Sequence, residues 1–116
     1  MKATGNLILD QSFQFALDIL TFTEQLEQQR KYPVANQLTK SGTSIGANVR
    51  EAQSPESKND FIHKLKIAAK EATETEYWLM LCKEHPTLPD PGDLLTKVNS
   101  IQRILSSIIS TCKNRS

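Results

Sequence analysis

A bilayer-spanning helix needs about 20 consecutive apolar residues, and no run in this chain approaches that length. The opening stretch MKATGNLILDQ has neither the apolar core nor the small-residue cleavage site of a signal peptide. A cytoplasmic location without a membrane partner is therefore expected. Charge of one sign is missing as well. The 14 basic and 13 acidic residues leave a formal charge of +1, so no overall field draws the chain toward nucleic acid or a lipid surface. Cysteine is scarce: Cys82 and Cys112 are spaced neither as a metal knuckle nor as a disulfide framework. Each lies on an apolar helix stripe, where a free thiol behaves as a small hydrophobe, and the two should stay unlinked within a chain.

Catalytic residue sets are also wanting. Asp60 and His63 are three apart and faintly echo the acid-x-x-His motif of di-metal bundles. That site needs a second such motif and two further inward carboxylates. The remaining histidine, His85, falls in a proline-rich loop. No glycine-rich phosphate loop follows a strand, and no Ser-His-Asp or Cys-His set can be assembled. The sequence gives no reason to expect an enzyme, a cofactor, a metal or a small-molecule substrate.

What the chain does have is helical periodicity. Its 116 residues suit one domain over 1–116. The spacing predicts a first helix from about Ile8 to Gln29 and a second opened by Pro33, since proline suits a first helical turn, running to about Gln53. Ser57, with Asp60 three residues on, reads as the cap of a third helix that ends near Glu84. The stretch His85-Pro86-Thr87-Leu88-Pro89-Asp90-Pro91-Gly92 breaks helix, and a fourth helix follows from about Asp93 to Lys113.

Within each segment apolar or small residues recur in alternating steps of four and three. The stripes are Ile8, Ser12, Phe15, Ile19, Phe22, Leu26; then Leu38, Gly42, Ile45, Val49, Ala52; then Phe61, Leu65, Ala68, Ala72, Thr75, Leu79, Cys82; then Leu94, Val98, Ile101, Leu105, Ile108, Cys112. This alternation keeps one face toward a neighbour over many turns, as near-parallel packing at about 20° requires. Short connections make successive helices antiparallel neighbours. The expected fold is all-α, an antiparallel up-down-up-down four-helix bundle.

Further stripes exceed what one core needs. Phe13, Leu17 and Leu20, with Ala16, run around the first helix from its core stripe, and Ile67, Trp78 and Leu81 form a side series on the third. A surface helix of a monomer needs only one apolar face, so these six residues are candidates for contact with another protomer, the alternative being a wide core face. A bundle this small also gains from burying surface against a partner chain. On the second helix Gln37, Ser41, Ser44, Asn48 and Glu51 form a polar row beside the apolar one. Lys40, Ser44, Asn48 and Glu51, with Glu71 and Glu74 of the third helix, are the candidate buried polar cluster. Lys40 is the expected partner of Glu74, since an unpaired buried carboxylate is costly. Gly42 and Gly46, one turn apart, cost about 1 kcal/mol each in a helix interior and point to close packing of a neighbouring helix, or to a ligand.

The segments LTKSGTSIGANVREA and FIHKLKIAAKEATETEYWL resemble the family of four-helix bundle proteins also called 23S ribosomal RNA intervening-sequence proteins. The residues carrying the resemblance are Lys40, Ser44-Ile45, Asn48, Val49 and Glu51, then Phe61, Leu65, Ile67-Ala68 and Glu74. The match covers about half the chain with its spacing intact. It departs at Ala52, where the family usually has glycine, and at Glu71, often serine there. The resemblance implies a barrel-shaped homopentamer. A related branch, the accessory variability determinant of diversity-generating retroelements, binds nucleic acid and a reverse transcriptase and is markedly basic, which this chain is not.

Local charge supports one further expectation. Lys58, Lys64, Lys66 and Lys70 crowd the first half of the third helix, and Lys113 and Arg115 end the chain. These four lysines are the candidate contacts to RNA or DNA, phosphates of which bind repeated cations additively. The alternative is a solvated face. The functional expectation is an oligomeric, non-enzymatic nucleic-acid-binding accessory protein, with a protein-interaction scaffold lacking any nucleic-acid role as the rival.

Overall fold

A computed structural model describes residues 3–115 and contains four α-helices: α1 (Leu7–Gln28), α2 (Tyr32–Glu51), α3 (Lys58–Glu84) and α4 (Leu94–Asn114). Each boundary lies within a residue or two of the sequence expectation, because each has a local cause. Asn6 caps α1 by accepting the Leu9 N–H at 3.2 Å, satisfying one of the donors that a helix start leaves free. Pro33 occupies the first turn of α2. Ser57 caps α3, its hydroxyl accepting the Asp60 N–H at 3.0 Å. The reversal between α1 and α2 takes only residues 29–31. Arg30 makes it possible by adopting a left-handed φ of 60°, while Lys31 N–H reaches back to the Leu26 carbonyl at 2.8 Å.

The helices run up, down, up and down. Asn6 at the start of α1 bonds Gln53 just past α2 (3.1 Å), Lys64 near the start of α3 pairs with Glu51 at the end of α2, and Lys58 at the start of α3 donates to the Arg115 carbonyl beyond α4. Each helix packs on its two neighbours, α1 and α4 closing the ring. Asp18 and Lys97 tie that last seam at 2.8 Å.

The core is built from the expected stripes. Phe15, Ile19 and Leu26 of α1, Leu38, Ile45 and Val49 of α2, Leu65 and Leu79 of α3, and Val98, Ile101 and Leu105 of α4 are all buried. Burying side chains of this size contributes roughly 1.5–3 kcal/mol each before entropy is counted. Phe61 and Ile108 pack only partly against this core, and Cys112 is half-buried. Cys82 is buried, and both thiols are free. Gly42 and Gly46 serve close packing of α1 on α2. A Cβ on Gly42 would sit 2.9 Å from both Cγ atoms of Ile19, and one on Gly46 would sit 3.1 Å from the Ser12 carbonyl oxygen. No helix among the described residues is long and apolar enough to cross a membrane.

Candidate nucleic-acid interface

The four candidate lysines of α3 divide between two faces. Residues two apart on a helix point about 200° from one another, so Lys64 and Lys66 diverge. Lys64 turns toward α2, where its ammonium bonds Glu51 at 2.9 Å. That hydrogen bond first, and the Glu51 charge second, raise the Lys64 pKa, with Asp60 and Glu56 adding to it. Lys64 is thus already supplied with carboxylates.

Lys58 and Lys66 turn toward α4. With Asn59, Ile62 and His63 they meet Lys113 from the last turn of α4 and line an open cleft of about 430 Å³, with no carboxylate among its described lining residues. Lys113 lowers the Lys66 pKa, through direct side-chain contact first and like-charge repulsion second. Among the described residues neither ammonium has a carboxylate within ion-pair distance. Lys70 stands one turn beyond Lys66, exposed and likewise without an ion pair among those residues. The structure therefore gathers Lys58 and Lys66 with Lys113, leaves Lys70 outside the cleft, and withdraws Lys64 toward Glu51.

A second cleft, of about 490 Å³, shares Lys113 and continues along the α3–α4 seam between Ala69 and Thr73 of α3 and Gln102, Ser106, Ile109 and Ser110 of α4. Apart from Lys113 its polar groups are neutral. It runs toward Gln102, whose amide bonds Glu76 at 3.3 Å. In the sequence Lys113 is only a terminal cation; antiparallel α3 and α4 of these lengths bring chain positions 66 and 113 level.

The candidate buried polar cluster is not assembled as expected. Lys40, Glu51 and Glu74 are exposed, and Ser44, Asn48 and Glu71 are half-buried. Lys40 makes no ion pair with Glu74. Instead Ser41 and Thr75, both fully buried, lie 2.9 Å apart, with Thr75 also 2.8 Å from the Glu71 carbonyl. The expected core stripes face this seam, with Thr75 on the α3 stripe and Ser41 beside Gly42 of the α2 stripe. Lys40, Glu51 and Glu74 turn outward where burial was expected. Two hydroxyls enter the core there and the charged side chains stay in water, which avoids the several kcal/mol of desolvation that a buried ion pair must recover. Asn48 is satisfied within α2, its amide bonding the Ser44 carbonyl at 2.9 Å.

Of the candidate interface residues, Leu17 (43% exposed) and Leu20 (41%) face outward, and Phe13, Ile67 and Leu81 are half-buried off the core. Trp78 departs from the expectation. Its side chain packs against the core rim, because an indole is long enough to fold back from a flanking position. Tyr77 and Met80, which the spacing argument passed over, are more exposed, and Tyr77 stacks edge-on against Trp78 with centroids 5.6 Å apart.

His63 lines the cationic cleft, whereas the Asp60 carboxylate accepts the Glu56 N–H at 3.1 Å. No group of three metal-ligating side chains converges among the described residues. A family model described as the 23S rRNA-intervening sequence protein matches residues 5–107. A crystal structure of a protein of unknown function from the S23 ribosomal protein family of Bacteroides thetaiotaomicron is similar in sequence and fold. Identity is 39%, covering 88% of this chain and 97% of that one, with a TM-score of 0.83. No curated protein matches the chain.

Proposed function

The chain belongs to the 23S rRNA-intervening sequence protein family, and from that premise we propose that it is a non-enzymatic, oligomeric bundle that binds the phosphate backbone of RNA or DNA. One observation carries the proposal: Lys58, Lys66 and Lys113 converge on a single cleft that no carboxylate lines among the described residues, although the chain as a whole is nearly neutral. Cations placed on water-facing surface without partners cost little by themselves and gain most from a polyanion, whose condensed counterions they release. The non-enzymatic part of the reading is supported by the buried Cys82 thiol. Desolvation pushes its pKa up to about 11, the opposite of what an activated nucleophile needs. A cytoplasmic location accords with this role, and self-association through the outer apolar residues of α1 and α3 would repeat the cleft around an assembly.

The reading is tested by fluorescence anisotropy of labelled RNA and DNA at salt concentrations from about 50 to 200 mM. Phosphate contacts make log K fall linearly with log salt, by about 0.7 per neutralised phosphate on single strands and 0.9 on duplex. Binding with such a slope supports the proposal. An assembly that binds neither nucleic acid at 50 mM salt overturns it and favours the protein-interaction scaffold.

A further inference from the structure

We propose that the α3–α4 cleft is a discrete phosphate site, in which the Lys66 and Lys113 ammoniums clamp one phosphate group from opposite helices, with Lys58, whose ammonium bonds the Arg115 carbonyl, at the edge. The proposal deepens the nucleic-acid reading and rests on it only for the identity of the strand that carries the phosphate. The geometry sets this place apart from the rest of the lysine-bearing surface. Two of its cations approach from different helices, so they converge on a point, whereas lysines along one helix present a row. The cleft is bounded by Ile62 at its floor and offers Asn59 and His63 as additional hydrogen-bonding groups.

Among the described residues the charges lining the cleft beside Lys66 are all of one sign, Lys58 from α3 and Lys113 from α4. The carboxylates of Glu51, Glu56 and Asp60 surround Lys64 on the far side of the helix instead. Two ammoniums crowded without a counter-charge repel each other, and an anion between them converts repulsion into two charge-assisted hydrogen bonds. The same crowding by Lys113 lowers the Lys66 pKa.

The same cleft leads into the seam of Thr73, Ser106 and Ser110. Neutral hydroxyls there suit sugar and phosphate oxygens. Among the described residues no Phe, Tyr or Trp lines either cleft. His63 offers one small aromatic face and Asn59 one planar amide beside the lysines, so the cations fix the phosphate while these two groups lie within reach of the attached nucleotide.

The experiment uses the full chain and two probes, inorganic phosphate and a labelled mixed-sequence RNA oligonucleotide. Side-chain NMR follows the Lys66 ammonium as phosphate is added, and anisotropy follows the RNA. Phosphate should raise the Lys66 pKa toward the ordinary lysine value and should compete with RNA. Lys66→Gln and Lys113→Gln should each weaken both ligands about tenfold, the scale of one hydrogen bond to a charged group, and lower the RNA salt slope by about one contact. Lys64→Gln, whose ammonium already belongs to Glu51, is the control and should change neither. These surface variants leave the core untouched, and unchanged circular dichroism checks that they fold. If RNA binds with full salt dependence but neither glutamine variant weakens it and phosphate does not compete, the site is overturned while the nucleic-acid reading stands. If phosphate binds at Lys66 and Lys113 but no RNA or DNA does, the site is supported and the nucleic-acid reading fails. Phosphate that leaves Lys66 unshifted at tens of millimolar overturns the clamp outright.

Discussion

Ser41 and Thr75 show how one position along a helix decides what a polar group does. Both are buried completely, and between them they satisfy each other and the Glu71 carbonyl. A hydroxyl carries one proton, so Ser41 donates to Thr75 whenever Thr75 donates to the carbonyl. Thr75→Val keeps the shape but leaves the Ser41 hydroxyl without its cross-helix partner, which should cost about 1–3 kcal/mol. Adding Ser41→Ala to that variant removes the orphan and should recover part of the loss. Glu74, one residue away, is exposed, and Glu74→Ala should stay within about 0.5 kcal/mol of the parent. Urea denaturation of the four proteins measures both. A costly Glu74→Ala alongside a silent Thr75→Val would mean that the seam is rotated to a register in which the carboxylate is buried.

At the scale of the element, α2 is the helix that most constrains its neighbours. Gly42 lets α1 approach until Ile19 lies where a Cβ would be. Alanine there would gain about 1 kcal/mol of helix propensity but must displace a branched side chain in a close-packed core, at about 1–3 kcal/mol. Gly42→Ala should therefore be neutral to destabilising, by up to about 2 kcal/mol in thermal or urea unfolding. Ile19→Val should not rescue it, because valine keeps both Cγ atoms. A clearly stabilised Gly42→Ala would show that α1 and α2 separate at no cost. The glycines also mark what the sequence made legible. Four-three spacing located all four helices and the core stripes, since these follow from the pitch of a single helix, while the glycines marked a close approach without saying that α1 makes it. Which polar residues of α2 enter the seam was not legible: Ser41 is buried there, whereas Lys40 is exposed. Adjacent residues differ by about 100°, and which one faces inward depends on packing across the whole seam. The cationic cleft was legible in half: Lys58 and Lys66 were in view, but their partner Lys113 is 47 positions beyond Lys66 and joins them only through tertiary structure.

At the scale of the whole molecule, a formal charge of +1 conceals an uneven distribution. Asp18, Glu24, Asp90 and Asp93 line a cleft at the end where α4 begins, with Lys97 between Asp18 and Asp93. Lys58, Lys66 and Lys113 occupy the end where α4 finishes, about 30 Å away along a helix of this length. Local fields at each end, rather than net charge, would then govern a polyanion's approach. The outer apolar residues add a third region. Leu17 and Leu20 on α1, and Tyr77 and Met80 on α3, are each more than two-fifths exposed. These surfaces are unlike one another, so contact between α1 of one copy and α3 of the next is heterologous and must close as a ring or run on as a filament. Burying aromatic and leucine side chains favours association by roughly 1.5–3 kcal/mol each, less the entropy lost on binding. A closed ring of five, which the family resemblance implies, would elute in light scattering near 65 kDa, five times the 13.0 kDa of one chain. Trp78→Asp is a poor test, because its side chain packs on the core rim and its loss would weaken the fold itself. Leu17→Asp and Tyr77→Asp place charge on each exposed surface without touching the core, and each should return the protein to 13 kDa at micromolar concentration with its helix content intact. An assembly that survives both substitutions is not built on these stripes, and a parent protein that already runs as a monomer removes the case for the ring.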